Sequence, residues 1–253
     1  MLEEVDGTGA RGTARAACAR GLAARRAAGE PLQYVLGHWP FRTLDLLVTP
    51  AALIPRPETE QLAGLALAAV LARRDGTVVC DLGCGTGAIA LAVASEAAAE
   101  GRRVEVHATD VSSDALELAR RNARRVGADV ALHLGSWYDA VPSSLAGRVD
   151  VLCANPPYVA AAEREGLARE LDFEPPLALV SADAADGTPG FAAVCAVVAG
   201  ASRWLANGGT LLVEHGATQG APACDLARRC GLCVVADHRD LAGLPRILEA
   251  TTA

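Results

Sequence analysis

One stretch dictates the fold class of this chain: Val78-Val79-Cys80-Asp81-Leu82-Gly83-Cys84-Gly85-Thr86-Gly87. Its first five residues form a short, mostly apolar run, which predicts a buried strand. The three glycines that follow predict a tight loop, and the apolar residues 88–99 predict a helix directly after it. A strand, a glycine loop and a helix in this order form the opening unit of a doubly wound α/β sheet.

The same alternation of strand and helix continues toward the carboxyl terminus. Strands are predicted at residues 78–82, 104–109, 130–134, 149–153, 210–214, 232–237 and 246–250. Helices are predicted at residues 60–73, 88–99, 112–126, 191–206 and 219–229. This rhythm predicts an α/β fold with a mostly parallel, seven-stranded sheet that is covered by helices on both faces.

The amino-terminal part of the chain has a different pattern. Residues 14–28 predict a helix that ends at glycine and proline, and residues 38–48 predict an irregular hairpin. Two prolines then predict an extended approach to the helix at 60–73, with Thr59 as its cap. We therefore expect a reduced helical segment and hairpin at residues 1–52, with fraying at its start, and a main domain at residues 53–253.

Composition restricts the classes of function. Hydrophobic residues make up 51% of the 253-residue chain but aromatic residues only 4%, so the core must consist mainly of Ala, Leu and Val. All 23 basic residues are arginines spread along the chain, and the net charge of -7 argues against a general nucleic-acid binder. No apolar run is long enough to span a bilayer. Eight cysteines without a signal peptide predict the cytoplasm, and the lone Cys230-x-x-Cys233 completes no zinc set, so no metal is predicted.

The glycine loop predicts a nucleoside-containing cofactor. Gly83-x-Gly85-x-x-Ala88 fits a dinucleotide-binding loop, in which glycines let the backbone approach a pyrophosphate. Asp81 precedes the loop, and Asp110 ends the second strand of the sheet, where it could accept hydrogen bonds from a ribose. A ribose is common to dinucleotides and S-adenosylmethionine, so these residues leave both cofactors open. The alternative is that the glycines only permit close packing of strand and helix.

A second stretch, Asn155-Pro156-Pro157-Tyr158, separates the two cofactors. Two prolines must end the preceding strand at the edge of the sheet where open α/β folds bind ligands. The Asn155 side-chain oxygen and a proline carbonyl could accept both N–H groups of a planar amide or aromatic amine and direct its nitrogen at an incoming methyl group. Hydride transfer has no use for this arrangement, so the stretch predicts nitrogen methylation. The alternative is a rigid turn without a catalytic role.

These motifs carry a family resemblance. Residues 81–91 resemble the cofactor loop of class I S-adenosylmethionine-dependent methyltransferases, whose fold is Rossmann-like, and residues 155–159 resemble the signature of amino- and amide-nitrogen methyltransferases. Residues 29–37, 53–60, 172–175 and 214–216 resemble the HemK/PrmC family, which methylates the glutamine amide nitrogen of the Gly-Gly-Gln motif in peptide-chain release factors. The resemblance extends from about residue 29 to the end of the chain.

The resemblance implies roles for individual residues. The residues implied to bind S-adenosylmethionine, which leaves as S-adenosylhomocysteine, are Asp81, Gly83, Gly85, Gly87, Asp110 at the ribose, Val111 at the adenine, Ser136, Trp137 and Asn155. The residues implied to hold the substrate are Asn155 and Pro156 at the amide, Tyr158 closing the pocket, and Leu53, Arg56, Pro57, Thr59 and Pro157 at its mouth. For Arg56 a surface ion pair is the alternative, and we interpret Glu174, Glu214 and His215 as structural rather than reactive.

Two departures from the family pattern keep the substrate open. Ser136 stands where the family usually has an acidic residue that receives the adenine amino group, which predicts weaker cofactor binding. The helical domain that grips the release factor is predicted to be shortened, because 28 residues precede the Gly-Glu-Pro stretch. A release factor is the first expected partner. The alternatives are a small-molecule amide or amine, a nucleic-acid adenine, and a non-catalytic cofactor-binding subunit.

Overall fold

The computed structural model describes residues 19–253. Its helices are α1 (19–27 within the described range), α2 (Leu32–Leu36), α3 (Pro57–Leu71), α4 (Ala88–Ala99), α5 (Ser113–Val126), α6 (Pro176–Leu179), α7 (Ala192–Trp204) and α8 (Gly220–Arg229). Its strands are β1 (His38–Phe41), β2 (Leu44–Leu47), β3 (Thr77–Leu82), β4 (Val104–Asp110), β5 (Ala131–Leu134), β6 (Val149–Ala154), β7 (Val159–Ala160), β8 (Val180–Ser181), β9 (Leu205–Glu214), β10 (Cys233–Arg239) and β11 (Pro245–Thr251). Short 3-10 helices lie at Trp137–Ala140, Ser143–Leu145, Ala161–Gly166 and Arg169–Phe173.

Seven strands form the central sheet in the order β10-β11-β9-β6-β3-β4-β5. The four neighbouring pairs from β9 to β5 are parallel, whereas β11 runs antiparallel to both of its neighbours. The predicted mostly parallel, seven-stranded sheet is therefore confirmed. The parallel arrangement brings the carboxyl ends of β3, β4, β5 and β6 to one edge, where the glycine loop and Asn155 follow their strands.

Helices cover the two faces of the sheet, and strand residues alternate between them. Val79 belongs to the core cluster that contains α3, α4 and α5, whereas Val78 and Leu82 belong to the cluster that contains α7 and α8. Because both faces of β3 are covered, all six of its residues are buried. This explains why the strand is visible in the sequence as a continuous, mostly apolar run.

The amino-terminal hairpin packs on the main sheet domain. β1 and β2 pair antiparallel, which confirms the hairpin predicted at residues 38–48. Phe41 and Leu46 are buried in the same core cluster as α3 and α4. The helix predicted at 14–28 is present over residues 19–27, and its predicted start lies outside the described residues. The boundary between residues 52 and 53 remains a prediction.

The helix predicted at residues 60–73 begins earlier than expected, at Pro57, and ends at Leu71. Proline favours the first helical position because its fixed φ suits the helix and its missing N–H would have no partner there. The prediction that Thr59 caps this helix is wrong. Thr59 lies inside the first turn, and its hydroxyl donates to the Glu214 carboxylate at a distance of 2.8 Å.

Two further segments differ from the sequence prediction. The helix predicted at 191–206 ends at Trp204, and β9 already begins at Leu205, which pairs with Val149 of β6. A register shift between Val149 and Val151 separates this pair from the regular ladder that starts at Thr210. Residues 159–181 contain β7, β8, α6 and two 3-10 helices, none of which was predicted. Among residues 19–253, no helix is long and apolar enough to cross a membrane.

Candidate active site

A cavity of about 350 Å³ lies at the carboxyl edge of the parallel strands. One part of its wall consists of the loops after β3, β4 and β5, and a second part consists of residues 52–56 and 175–178. Of the predicted site residues, the wall contains Leu53, Arg56, Thr59, Gly83, Gly85, Asp110, Val111, Ser136, Trp137, Asn155 and Pro157. The fold thus brings together residues that are separated by up to about a hundred positions in the sequence.

The glycine loop after β3 leaves space that side chains would fill. Gly83 has a φ of 74°, in the left-handed region that favours glycine, and a Cβ atom there would lie 3.1 Å from the Trp137 ring. The Gly85 backbone N–H donates to Asp110 at 2.9 Å. Gly87 starts α4 as its N-cap and lies behind the wall. The loop therefore presents backbone rather than side chains to the cavity.

Asp110 places a carboxylate beside the glycine loop. One of its oxygens accepts from Gly85 and the other from the Ser112 backbone N–H, also at 2.9 Å. Burial raises the pKa of Asp110, and the backbone hydrogen bonds act in the opposite direction. The next side chain, Val111, is 55% exposed although it lines the cavity. A fixed hydrogen-bond acceptor and an open apolar surface therefore stand next to each other.

Asp81 lies deeper than predicted. Its side chain is fully buried behind the loop, where one carboxyl oxygen accepts from the Ala90 backbone N–H at 3.2 Å. The other oxygen has no hydrogen-bond partner among residues 19–253. Burial raises the pKa of Asp81 to about 7. Asp81 therefore connects the glycine loop to the first turn of α4 and does not form part of the wall.

Asn155 follows the end of β6 and has a defined amide orientation. Its Nδ2 donates to the Thr59 hydroxyl oxygen at 3.0 Å, and that hydroxyl donates in turn to Glu214. Thr59 and Glu214 are both buried. Asn155 lines the cavity, and so does Thr59. The side-chain oxygen of Asn155 is thus the atom of this amide that remains for a ligand.

Three predicted substrate residues lie outside the wall. Tyr158, predicted to close the pocket, donates its hydroxyl to Glu214 at 3.2 Å, and the Arg246 guanidinium lies 6.0 Å from its ring. These two contacts fix the position of the ring, and the pocket-closing role of Tyr158 stays a prediction. Pro57 is an exposed residue at the start of α3, and the Pro156 ring is buried under the turn. For Pro156 the predicted role belongs to the backbone carbonyl.

A buried carboxylate joins the two segments of the second part of the wall, residues 52–56 and 175–178. Glu174 is 3% exposed, accepts from the Ile54 backbone N–H at 2.9 Å and pairs with Arg56. Arg56 lines the cavity and forms an ion pair, but its partner is the buried Glu174 and not a surface carboxylate, so the pair differs from the surface ion pair given as the alternative. Within residues 19–253, the Glu174 carboxylate forms hydrogen bonds only with Ile54 and Arg56, in agreement with a structural interpretation.

Sequence reasoning missed two residues that support the site. Asn122 on α5 is buried, donates to the Thr86 carbonyl at 2.9 Å and exchanges hydrogen bonds with the Leu47 backbone. Gln219 is buried and donates to the Tyr158 carbonyl at 3.1 Å. A signal existed for Asn122, because it continues the apolar stripe of α5 as a single polar residue. Gln219 had none.

Comparisons with known proteins agree with this geometry. Residues 73–251 match the family model described as a methyltransferase domain. The chain is 42% identical over 228 residues to the release factor glutamine methyltransferase of Bordetella pertussis, covering 90% of this chain and 80% of that protein. It is 41% identical over 236 residues to the protein of the same name from Streptomyces coelicolor, covering 92% and 79%.

Solved structures show the same fold at lower sequence identity. A methyltransferase from Pyrococcus furiosus superposes with a TM-score of 0.56 at 21% identity, covering 83% of this chain and 89% of that one. A 16S rRNA N2 G1207 methyltransferase from T. thermophilus, in complex with AdoMet and guanosine, gives 0.57 at 15% identity, covering 85% and 50%. The chain therefore belongs to the methyltransferase family whose curated relatives are named release factor glutamine methyltransferases.

Proposed function

We propose that this chain transfers the methyl group of S-adenosylmethionine to the side-chain amide nitrogen of glutamine in the Gly-Gly-Gln motif of a peptide-chain release factor, in the cytoplasm. The names of the relatives support this substrate, and the methyltransferase domain supports the cofactor. The observation that carries the proposal is the orientation of Asn155, whose nitrogen points to Thr59 and whose oxygen is left for a ligand.

The residues of the glycine-loop side fit S-adenosylmethionine. A side chain at Gly83 would crowd the Trp137 ring, so the loop keeps room for a ligand that lies against its backbone. The Asp110 carboxylate suits ribose hydroxyls, and the exposed Val111 offers an apolar surface to an adenine ring. Ser136 adds a hydroxyl on the same side, in place of the acid that the family usually has there. When bound, the cofactor supplies a methyl group on a positively charged sulfur.

Asn155 and Pro156 would hold the substrate amide. An amide nitrogen is a weak nucleophile because its lone pair is delocalised, so its position and orientation matter more than its basicity. The Asn155 oxygen and the Pro156 carbonyl can accept its two N–H groups, and the two prolines make this pair of acceptors rigid before the substrate arrives. The clamp directs one face of the nitrogen into the cavity, and the amide proton leaves after the new N–C bond has formed.

The second part of the wall favours this reaction electrostatically. Methyl transfer from a sulfonium to a neutral nitrogen disperses positive charge, which an apolar, water-poor site favours. Leu53, Pro157 and Leu177 contribute apolar surface to the wall, and the charge of Arg56 is compensated by Glu174. Arg56 therefore borders the site without adding a bare charge to it.

The cofactor half of the proposal is tested by ligand linkage. A protein that binds S-adenosylmethionine gains about 2.7 kcal/mol of unfolding free energy at a hundredfold excess over Kd. Thermal unfolding with and without the cofactor measures this gain, and S-adenosylhomocysteine should produce a similar shift. Absence of any shift at millimolar cofactor would refute S-adenosylmethionine binding.

The substrate half is tested by methylation of a purified release factor. We expect mass spectrometry to place one added methyl group on the glutamine of the Gly-Gly-Gln motif. A release factor in which that glutamine is replaced by alanine serves as the matched control. Labelling of a small molecule in a cell extract, with the release factor unmodified, would contradict the proposed substrate and favour the metabolite alternative.

A further inference from the structure

Glu214 links both ends of the Asn-Pro-Pro-Tyr turn from behind the cavity. It is the last residue of β9, next to β6, and its side chain is fully buried. One carboxyl oxygen accepts from the Thr59 hydroxyl at 2.8 Å, and the other accepts from the Tyr158 hydroxyl at 3.2 Å. Thr59 in turn contacts Asn155 at the start of the turn. A single carboxylate is thus connected to the first and the last residue of the motif.

The chemistry of these groups fixes the direction of every hydrogen bond. An ionised carboxylate can only accept, and a hydroxyl has a single proton to donate. The Thr59 proton is therefore used on Glu214, and only the lone pairs of the Thr59 oxygen face Asn155. These lone pairs require a donor, so the Asn155 NH2 group must point toward Thr59 and its oxygen away from it. The same amide rotated by 180° would place two acceptors against each other.

We propose that Glu214 is a positioning residue for methyl transfer: through Thr59 it fixes which end of the Asn155 amide faces the cavity, and through Tyr158 it anchors the far end of the turn. This inference rests on the proposed function, because it assigns the Asn155 oxygen to the substrate amide. Glu214 itself contacts neither the cavity nor the substrate.

The surroundings of Glu214 make its control of the Asn155 orientation dependent on pH. Burial raises the pKa of Glu214 to about 7, and the negative charge of Glu58 on α3 acts in the same direction. The hydrogen bonds from Thr59 and Tyr158 and the positive charge of Arg246 on β11 lower this pKa. The neighbouring His215 imidazole is directed to the Gly216 carbonyl and to Asp237.

Protonation of Glu214 would release the Asn155 amide. The protonated carboxyl keeps one oxygen as an acceptor but carries an O–H on the other, so a proton on the oxygen that faces Thr59 removes the acceptor of the Thr59 hydroxyl. The Thr59 proton can then turn toward Asn155, and the amide can rotate. Methyl transfer should therefore fall as the pH is lowered through about 7.

The activity test compares pH profiles of kcat with saturating release factor. The wild type should show an acidic limb with a midpoint near pH 7. Glu214→Gln keeps the shape of the side chain but offers one acceptor and one donor, so we expect kcat to fall roughly tenfold or more and the limb to disappear. The KM for the release factor should change less than kcat, because the rest of the protein substrate is unaffected.

Three further variants separate positioning from general support of the fold. Thr59→Val should reproduce the loss of Glu214→Gln, and Thr59→Ser, which keeps the hydroxyl, should restore most of the rate. Glu249→Gln is the matched control, since Glu249 is a strand carboxylate that pairs with His238 away from the cavity, and it should keep the wild-type profile. A Glu214→Gln enzyme that retains the wild-type limb, or equal losses in Thr59→Val and Thr59→Ser, would overturn the proposal.

A second readout is independent of any substrate. The chain has three asparagines, Asn122, Asn155 and Asn207, so selective 15N labelling gives three side-chain NH2 signals. The Asn155 signal, assigned by its loss in Asn155→Ala, should titrate with a midpoint near pH 7 in the wild type and in Glu249→Gln, but not in Glu214→Gln. Continued titration in Glu214→Gln would overturn the inference. If the wild type leaves the release factor unmodified, the proposed function fails, while this titration still decides the role of Glu214.

Discussion

Replacing Asn122 by Ala should destabilise the protein and loosen the cofactor loop together. The side chain is fully buried and makes three hydrogen bonds: it accepts from the Leu47 N–H at 2.7 Å and donates to the carbonyls of Leu47 and Thr86 at 3.1 and 2.9 Å. Loss of the acceptor leaves a backbone N–H without a partner, at a cost of about 1–3 kcal/mol, and each lost bond to a carbonyl adds about 0.5–1.5 kcal/mol. We expect the free energy of unfolding to fall by about 2–6 kcal/mol.

Urea unfolding followed by tryptophan fluorescence measures this loss. Asn207→Ala is the matched control, because Asn207 is an exposed residue near the start of β9 whose replacement should change stability by no more than about 0.5 kcal/mol. Since Thr86 belongs to the glycine loop, calorimetry should also show several-fold weaker binding of S-adenosylmethionine to Asn122→Ala. A stability loss below about 1 kcal/mol, or cofactor affinity equal to that of the control, would refute the reasoning.

Four other outcomes can be measured. Asn155→Ala should lower single-turnover methyl transfer roughly a hundredfold while cofactor affinity in calorimetry stays within a few-fold, and unchanged turnover would remove the amide clamp. Gly83→Ala should cost about 1–2 kcal/mol in urea unfolding from its positive φ and should weaken cofactor binding through the Trp137 ring, whereas wild-type values for both would show that the loop tolerates a side chain. Glu174→Gln weakens the ion pair with Arg56, so the KM for the release factor should rise more than the Kd for the cofactor; equal changes would count against a substrate-side role for this wall. The pKa of Glu214 in the folded protein is raised to about 7, so its contribution to stability is present at low pH and is lost as the pH rises toward 7. The unfolding free energy of the wild type should therefore decline over this range more steeply than that of Glu214→Gln. Parallel profiles of the two proteins would contradict this.

The main elements of the fold could be predicted because their sequence signals are local. A strand that is covered on both faces, such as β3, consists almost entirely of buried residues, and α4 follows it at the predicted residues. Parallel strands place their carboxyl ends at one edge, so residues that end strands, such as Asp110 and Asn155, could be assigned to one cavity from the sequence. The family motifs further predicted Leu53, Arg56 and Thr59 as residues of the cavity wall.

The remaining parts depend on contacts between distant segments. Thr59 has the residue type and the sequence position of a helix cap, but its hydroxyl donates a hydrogen bond to Glu214, 155 positions further along the chain. Residues 161–179 show no hydrophobic periodicity that predicts a helix or a strand. Glu174 connects this segment to residues 54 and 56 by a hydrogen bond and an ion pair, which the sequence does not indicate. The Tyr158 hydroxyl donates to Glu214, and nothing in the sequence around either residue indicates this contact.

The role of Glu174 suggests how this scaffold could be redirected to a new acceptor molecule. The part of the cavity wall at the glycine loop follows sheet strands, whereas the second part consists of residues 52–56 and 175–178, which the Glu174 side chain connects. An engineer could therefore exchange these two segments as a matched pair, with Glu174 and its partners kept constant, and leave the methyl-donor half intact. A graft of residues 52–56 that lost Arg56 would leave the buried Glu174 carboxylate without its charged partner, so this ion pair sets the limit of what can be exchanged for a change of specificity.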